Sequence, residues 1–193
     1  MTQLPQVAPS QQARFSRAGH MLTLRPLQLR DAPALQDFFY SHTRETIHFR
    51  YGYMIGEMKV ERARQLVSVN QQRDPALGIF DPASAMILAV ARSCQAPEGG
   101  SAELAVVVSE QWRRQGFARL LLLNLIHLAQ ENHLQELQGL VLPDNFPMLS
   151  LLRSLHFISQ GTNQDGLIQM KLPLTSCLES ATLSGRHSAL PKV

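Results

Sequence analysis

The stretch AELAVVVSEQWRRQGFARLLLLNLIHLAQ, from Ala102 to Gln130, decides the fold. It opens with Leu104–Val108, a short β-branched apolar run that is typical of a strand buried on both faces. It closes with Phe117–Ala129, a Leu-rich run in which polar positions such as Asn124 fall near one face at helical spacing. This second pattern predicts a helix that is mostly buried and keeps only a narrow polar face.

A short basic turn, RRQGFA from Arg113 to Ala118, joins the strand to the helix. The first N–H groups of a helix have no internal partners and carry partial positive charge. Gly116 has no Cβ, so a ligand can approach the backbone closely, and Arg113, Arg114 and Arg119 add full charges. The turn therefore suits a phosphate or pyrophosphate, with a solvated strand-to-helix turn as the alternative.

The turn also resembles the signature of a known family. Arg113-x-x-Gly116-x-Ala118 matches [Gln/Arg]-x-x-Gly-x-[Gly/Ala], the motif of the GNAT acyltransferases, with a strand before it and a long helix after it. The resemblance implies that the turn holds the pyrophosphate of acetyl-CoA, and that the preceding strand pairs through its backbone with the pantetheine arm. The cofactor-binding residues implied in this way are Val106, Val107, Val108, Arg113, Arg114, Gln115, Gly116, Phe117, Ala118 and Arg119.

A second match lies downstream, where members of the family often show Asn-x-x-[Ala/Met]-x-x-Leu-x-x-x-Leu-Gly-Phe. The residues that fit it are Asn145, Met148, Leu151, Leu155 and Phe157. The resemblance implies that Asn145 lies near the pantetheine arm and that the helix after it flanks CoA. On physical grounds alone, Asp144 or Asn145 caps this helix and its Leu residues belong to the core, and both interpretations can hold together.

Two positions depart from the family pattern. His156 stands where Gly usually ends this helix, so we expect a left-handed backbone conformation at a non-Gly residue. Leu152 stands where many members have a Tyr that protonates the departing thiolate. The bacterial protein-lysine acetyltransferase group, which the chain loosely resembles, often lacks that Tyr, so its absence does not exclude catalysis.

The order of the predicted elements implies an α/β (α+β) chain with the GNAT fold, whose central mixed, mostly antiparallel sheet has six to seven strands and about four flanking helices. We expect the domain to span residues 21–172, between a flexible tail at 1–20 and a second tail at 173–193. Asp31 is expected to cap the first helix, which has Pro33 in its first turn. We find no internal repeats and no second domain.

Glu103 is the best candidate for the catalytic base. It opens the central strand beside the implied cofactor site, and the protein-lysine acetyltransferase group has a Glu at the matching place that acts as base, directly or through water. The alternative is a rim carboxylate paired with a surface Arg. The segment from Ser41 to Tyr53 concentrates aromatic and titratable side chains, His42 among them, and would form one wall of the acceptor site, unless its apolar members simply pack.

Composition excludes several classes of function. The chain has 193 residues and a net charge of +3 without a Lys/Arg block, so charge does not indicate nucleic-acid binding. No apolar run is long enough to span a membrane, so no membrane partner is expected. Cys94 and Cys177 form no pair at metal-ligand spacing, so we expect no metal, no disulfide scaffold and a reducing cytoplasm.

The sequence thus predicts an acetyl-CoA-dependent N-acetyltransferase, an enzyme that moves an acetyl group from acetyl-CoA to a primary amine. The acceptor is a protein lysine or a small-molecule amine. The alternative is a GNAT domain that binds acyl-CoA as a sensor or regulatory module without turnover. A homodimer is compatible with the resemblance, because pairing of last strands between subunits is common in this fold.

Overall fold

The computed structural model describes residues 5–8, 11–51 and 56–174, with the side chain of Tyr51 excepted. Within these ranges, eight strands form one sheet and five α-helices flank it. The strands are β1 (Ala13–Arg17), β2 (His20–Pro26), β3 (Ala76–Asp81), β4 (Met86–Gln95), β5 (Ser101–Val108), β6 (Glu136–Val141), β7 (Ile158–Thr162) and β8 (Ile168–Pro173). The helices are α1 (Ala32–Tyr40), α2 (Arg44–Tyr51), α3 (Val60–Val67), α4 (Phe117–Glu131) and α5 (Phe146–Ser154).

The sheet runs in the order β1-β2-β3-β4-β5-β6-β8-β7, and every neighbouring pair is antiparallel except β5 and β6. Because β5 and β6 are parallel, a crossover must join them, and α4 supplies it. The apolar side chains of α4 and α5 pack on one face of the sheet, and those of α1 and α3 pack on the other. The predicted mixed, mostly antiparallel α/β fold is confirmed, with one strand and one helix more than expected.

The expected flexible tail at residues 1–20 is the source of the extra strand, so that expectation is wrong for its described part. In β1, Ala13 and Phe15 are half-buried, while Arg14 between them is exposed. The strand pairs with β2 across a two-residue turn at Ala18 and Gly19. Both turn residues have positive φ, at 51° and 80°, as a tight hairpin requires. Alternating burial followed by Ala18-Gly19 indicates a hairpin, but the low content of large apolar residues in this segment favoured a tail instead.

Residues 5–8 are also held against the domain. Val7 is buried, and its N–H donates to Asn124 Oδ1 on α4 at 2.9 Å. The Asn124 side chain then donates through Nδ2 to the carbonyl oxygens of Pro5 and Leu120. Asn124 is therefore a buried, fully engaged amide instead of a member of the solvated polar face that helical spacing predicted. The expected C-terminal tail falls largely on residues 175–193, outside the described residues.

Asp31 occupies the N-cap position of α1 as predicted, but its side chain makes no capping hydrogen bond, which corrects the role expected of it. Its carboxylate accepts two hydrogen bonds from the Arg25 guanidinium, at 2.7 and 2.9 Å, and one from the Gln28 N–H at 2.7 Å. Burial acts to raise the pKa of Asp31, but these hydrogen bonds and the Arg25 charge outweigh it and lower the pKa below its ordinary value. The partly buried Arg25 guanidinium competes for the Asp31 carboxylate more strongly than the helix N–H groups do.

Strands β5 and β6 pair only at their beginnings. The ladder joins Ser101–Glu103 to residues 136–138, and the structure records no further strand pairing between the two. From Leu104 onward the two strands therefore diverge, and within the described residues no strand pairs with the edge of β5 that faces β6. This divergence opens a cleft above the N-terminus of α4, beside the turn that sequence analysis singled out.

Candidate functional site

A cavity of about 710 Å³ occupies the cleft between β5 and β6, and we call it the turn cavity. Its wall is formed by Leu104–Val108, by the turn before α4, by residues 139–142 after the β5–β6 ladder ends, and by the start of α5. All but one of the residues that sequence analysis assigned to the cofactor line it. Those lining residues are Val106, Val107, Val108, Arg113, Arg114, Gly116, Phe117, Ala118, Arg119 and Asn145, while Gln115 does not line the cavity.

The turn itself has the backbone geometry that its sequence predicts. Gly116 is the N-cap of α4 with φ +82°, and Arg114 also has positive φ at 61°. The Phe117 side chain is buried in the core and stacks on Trp112 at 5.9 Å between ring centroids, so this residue offers only its backbone to the cavity. Trp112 is partly buried and packs against the core below the turn.

The arginines of the turn differ in their contacts. Arg113 donates to Thr46 Oγ1 and lies 3.7 Å from a carboxylate oxygen of Glu110, so its charge is shared with α2. Arg119 donates to Ser154 Oγ at 3.0 Å and so links the first turn of α4 to the end of α5. Arg114 is exposed, and neither a hydrogen bond nor an ion pair is recorded for its side chain within the described ranges.

Arg17 adds a cation that sequence analysis missed, because its strand was taken for a tail. A Cβ placed on Gly116 would lie 3.4 Å from Arg17 Nη2, so the guanidinium sits directly over the turn. Arg17 is exposed, and no hydrogen bond or ion pair is recorded for it among the residues that the structure describes. The turn thus carries more positive charge than its own residues supply.

At the far side of the turn cavity, Asn145 caps α5. Its Oδ1 accepts a hydrogen bond from the Met148 N–H at 3.3 Å, which confirms the capping interpretation. Leu152, which replaces the Tyr found in many family members, is buried in the core and borders the cavity. His156 has φ +68°, as its position in place of Gly predicted.

A second cavity of about 700 Å³, the helix cavity, lies on the face of the sheet that α1 and α3 cover. The sheet forms the floor of this cavity. Arg92 and Cys94 of β4 stand opposite Ala105 and Glu103 of β5, so their side chains share one face and point into the same space. The rest of its wall comes from α1, α2 and α3.

The two cavities meet at β5. The residues that line both are Thr46, Arg50, Glu103, Ala105 and Val107. Glu103 is exposed at this boundary, paired in register with Cys94 on β4 and Gln138 on β6. Over the described ranges, no ion pair of Glu103 is recorded, so its alternative interpretation as the partner of a surface Arg finds no support there.

Glu110 ties the wall of the helix cavity to the turn. Its carboxylate accepts hydrogen bonds from Thr46 Oγ1 at 2.6 Å, from the Thr43 N–H at 2.9 Å and from His42 Nδ1 at 3.1 Å. Partial burial acts to raise the pKa of Glu110, but these hydrogen bonds outweigh it and lower the pKa to about 2. Glu110 is therefore ionised at neutral pH and anchors both α2 and Arg113.

Because Glu110 is an acceptor only, His42 must donate its Nδ1 proton to it. The His42 side chain is only 5% exposed, packs edge-on against Phe38 and lines the helix cavity. Its Nε2 is buried and has no hydrogen-bond partner among the residues that the structure describes. In the neutral form of the ring, Nε2 carries a lone pair, and the Glu110 carboxylate holds the ring in one tautomer. Sequence analysis placed His42 in this wall but gave no sign of Glu110, whose role depends on contacts across 68 residues.

Other parts of the expected acceptor wall are only partly described. Phe49 and Arg50 line the turn cavity, and Ile47 lines the helix cavity. Tyr53 lies outside the described residues. In the described part of the chain, no group of three or more His, Cys, Asp or Glu residues could hold a metal ion, and no helix is long and apolar enough to cross a membrane.

Comparison with known proteins assigns the family. Residues 21–158 match the model of the acetyltransferase (GNAT) domain, and the chain belongs to the GNAT acetyltransferase family. A curated relative, acetyltransferase PA5475 of Pseudomonas aeruginosa, is 24% identical over 149 residues, which cover 76% of this chain and 80% of that protein.

Solved structures share the fold at low sequence identity. The GNAT domain of S. lividans PAT superposes with a TM-score of 0.76 at 19% identity, covering 84% of this chain and 96% of that one. Ribosomal-protein-S5-alanine acetyltransferase from Vibrio fischeri gives 0.69 at 12% identity, covering 83% and 96%. At these identities the likeness concerns the fold.

Proposed function

We propose that this member of the family is an N-acetyltransferase that moves the acetyl group of acetyl-CoA to a primary amine, which is a small molecule or a protein lysine. One observation carries the proposal: two cavities, of about 710 and 700 Å³, approach β5 from different sides and share Glu103, Ala105 and Val107. A reaction between two substrates needs such a meeting point, where both are held in line.

The turn cavity suits acetyl-CoA in its residues and in its charge. The backbone N–H groups at the start of α4, with Arg17, Arg114 and Arg119 around them, would hold the pyrophosphate. The unpaired edge of Val106–Val108 would hydrogen-bond the pantetheine arm as an added strand does. This arrangement leads the thioester toward β5 and the neighbouring cavity.

The helix cavity suits the amine. The amine loses a proton to a base, and its nitrogen forms a bond with the carbonyl carbon of the thioester while the carbon–sulfur bond breaks. The departing CoA thiolate takes up a proton, so the products are an N-acetyl amine and free CoA thiol. In this proposal a backbone N–H of β5 polarises the carbonyl oxygen.

Glu103 is the proposed base, because its carboxylate stands at the junction of the two cavities. His42 is the second candidate, since its Nε2 lone pair borders the helix cavity and Glu110 holds its tautomer in the manner of a catalytic carboxylate–histidine pair.

A sensor that binds acyl-CoA without turnover is the second candidate function. It is favoured by one observation, the burial of Leu152 at the place where many relatives carry a proton-donating Tyr. Direct titration of CoA combined with release of free thiol from acetyl-CoA separates the two candidates. Binding with amine-dependent thiol release establishes the transferase, whereas binding without release for small amines and lysine peptides alike supports the sensor.

A further inference from the structure

We propose that the amine acceptor carries a carboxylate in addition to its amine, as an amino acid does, and that Arg92 in the helix cavity binds this carboxylate. The inference rests on the proposed function and narrows it. It assigns a substrate class to a cavity for which neither the family nor the sequence specifies an acceptor.

The starting point is a pair of unsatisfied atoms. Among the described residues, the buried side-chain nitrogen and oxygen atoms that lack a hydrogen-bond partner are His42 Nε2 and Arg92 Nε. Both residues line the helix cavity and come from different parts of the fold, the segment between α1 and α2 and strand β4. A buried polar atom without a partner costs free energy, and each such atom calls for an explanation. A ligand in this cavity that satisfies both atoms supplies one.

Arg92 is placed to meet a ligand because its neighbours are small. In the sheet it stands between Ala76 on β3 and Ala105 on β5, whose methyl side chains leave the space above the strand to the guanidinium. Glu103 is its diagonal neighbour on the same face, at about 7–8 Å between Cα atoms in such sheets. Neither an ion pair nor a hydrogen bond is recorded for Arg92 within the described ranges, so its charge remains available.

Arg92 calls for a hydrogen-bond acceptor on the ligand, whereas His42 and Glu103 call for a donor. The Arg92 guanidinium offers donors in a planar fork that matches a carboxylate, and it always carries its charge. His42 donates Nδ1–H to Glu110, so the neutral form of the ring accepts at Nε2, and the Glu103 carboxylate likewise calls for a donor or a cation. A molecule with a carboxylate at one end and an amine at the other satisfies all three groups.

Alternative acceptors fit less well. The cavity is lined by the carboxylates of Glu57 and Glu103 as well as by Arg50, Arg62 and Arg92, and this mixture of charges matches a zwitterion better than a doubly charged phosphate. A lysine side chain on a protein brings an amine but no carboxylate beside it, so Arg92 would stay unpaired. A cavity of about 700 Å³ lies within the usual range for small-molecule sites and admits an amino acid with a sizeable side chain.

The test compares acceptors that differ only in the carboxylate. Release of CoA thiol from acetyl-CoA is measured with L-leucine, L-leucinamide and 3-methylbutylamine, with the corresponding phenylalanine and lysine series, and with a lysine peptide. Binding of the same compounds to the complex of the protein with CoA is followed by calorimetry. The variants are Arg92→Gln and Arg92→Lys. Arg64→Gln serves as the matched control, because Arg64 is exposed on α3 and does not line either cavity.

For the best acid, we expect kcat/KM to exceed that of its amide and decarboxylated amine by about 100-fold or more, because sites built for a polar group reject analogues that lack it. In Arg92→Gln the acid should lose about 100-fold, while the decarboxylated amine and the affinity for CoA stay within about 3-fold. Arg92→Lys should recover part of the loss, and Arg64→Gln should match the wild type.

Two outcomes overturn the inference while leaving the transferase intact: amides and simple amines that react as well as the acids, or an Arg92→Gln variant that lowers the rate with all acceptors equally. Acids that bind in an Arg92-dependent way without thiol release would support the carboxylate site and contradict the proposed transfer. A panel in which no carboxylate-bearing compound binds or reacts overturns the carboxylate site.

Discussion

The two cavities beside β5 are nearly equal in volume but are built in different ways. The turn cavity depends on backbone: the N-terminus of α4, the unpaired edge of β5 and the positive φ of Gly116. The helix cavity depends on side chains, such as His42, Arg92 and Glu103, that come from different elements. A site made of backbone tolerates changes of most side chains near it, whereas a site made of side chains changes its ligand when one of them changes. The difference suits a common cosubstrate and a variable acceptor.

The largest expected effect is at the backbone site. Gly116→Glu places a side chain and a negative charge where the pyrophosphate is proposed to bind, at a φ that side chains rarely adopt. We expect calorimetry to show a loss of acetyl-CoA affinity of more than about 100-fold. Gly99→Glu is the control for backbone strain, because Gly99 has φ +78° in the β4–β5 hairpin and lines neither cavity. Unchanged affinity in Gly116→Glu would mean that the cosubstrate binds elsewhere.

The next effect separates the two candidate bases. Glu103→Gln should lower kcat about 100-fold, the usual scale of general-base catalysis, with acetyl-CoA affinity unchanged. His42→Gln should lower kcat less, because Glu103 remains at the junction of the cavities. The pH–rate profiles of both variants are the second measurement. If Glu103→Gln keeps full turnover while His42→Gln loses it, the base is His42 and the carboxylate has another role.

Glu110 links the two cavities, so its replacement should affect both by a smaller amount. Glu110→Gln weakens the hold on Thr46 and Arg113, and we expect about a 10-fold loss in kcat/KM for acetyl-CoA and about 1 kcal/mol in the free energy of unfolding, allowing for solvent screening. Glu98→Gln, an exposed carboxylate on the β4–β5 hairpin, is the control.

The stabilisation by Glu110 also depends on pH in a defined direction. Its pKa falls from 4.5 to about 2 on folding, so its contribution is complete above pH 4.5 and is lost as the pH falls from 4.5 toward 2. The difference in melting temperature between wild type and Glu110→Gln should therefore shrink as the pH falls below 4.5. A difference that grows below pH 4.5 would contradict the assignment.

The smallest effect is expected at Arg17, an exposed cation over the turn. Arg17→Gln should weaken acetyl-CoA about 3-fold at low ionic strength, and the difference should fade as salt screens the charge. Arg14→Gln on the same strand is the matched control, since no atom of Arg14 lies within 4 Å of the position that a Cβ on Gly116 would take. Equal behaviour of the two variants at low salt would remove Arg17 from the cosubstrate site.

The difference between a backbone-built and a side-chain-built cavity also explains which parts of the site could be predicted from the sequence. The turn cavity follows from residues that are contiguous in the chain, because a strand, a Gly at the helix start and a basic turn are local patterns. The positive φ of His156 follows likewise from its position in a local motif. Almost all predicted cofactor-binding residues therefore line one cavity, Gln115 excepted.

The helix cavity could not be predicted in this way. Arg92 lies in a strand whose sequence shows no special pattern, and only the strand register places it between Ala76 and Ala105. Within the described residues, its buried Nε also has no hydrogen-bond partner. Glu110 likewise becomes informative only through contacts with residues more than 60 positions away. For the described part of residues 1–20, the prediction of a flexible tail was wrong because low apolar content concealed a two-residue hairpin turn.

The measurement that tests the account most directly is the initial rate of thiol release as a function of both acetyl-CoA and amine concentration. Two cavities that meet at β5 imply that both substrates bind before any bond breaks, so double-reciprocal plots at several amine concentrations should intersect. Parallel lines would mean that an acyl-enzyme forms first. That result would move the chemistry to a nucleophile such as Cys94 in the helix cavity and contradict direct transfer at the junction of the two cavities.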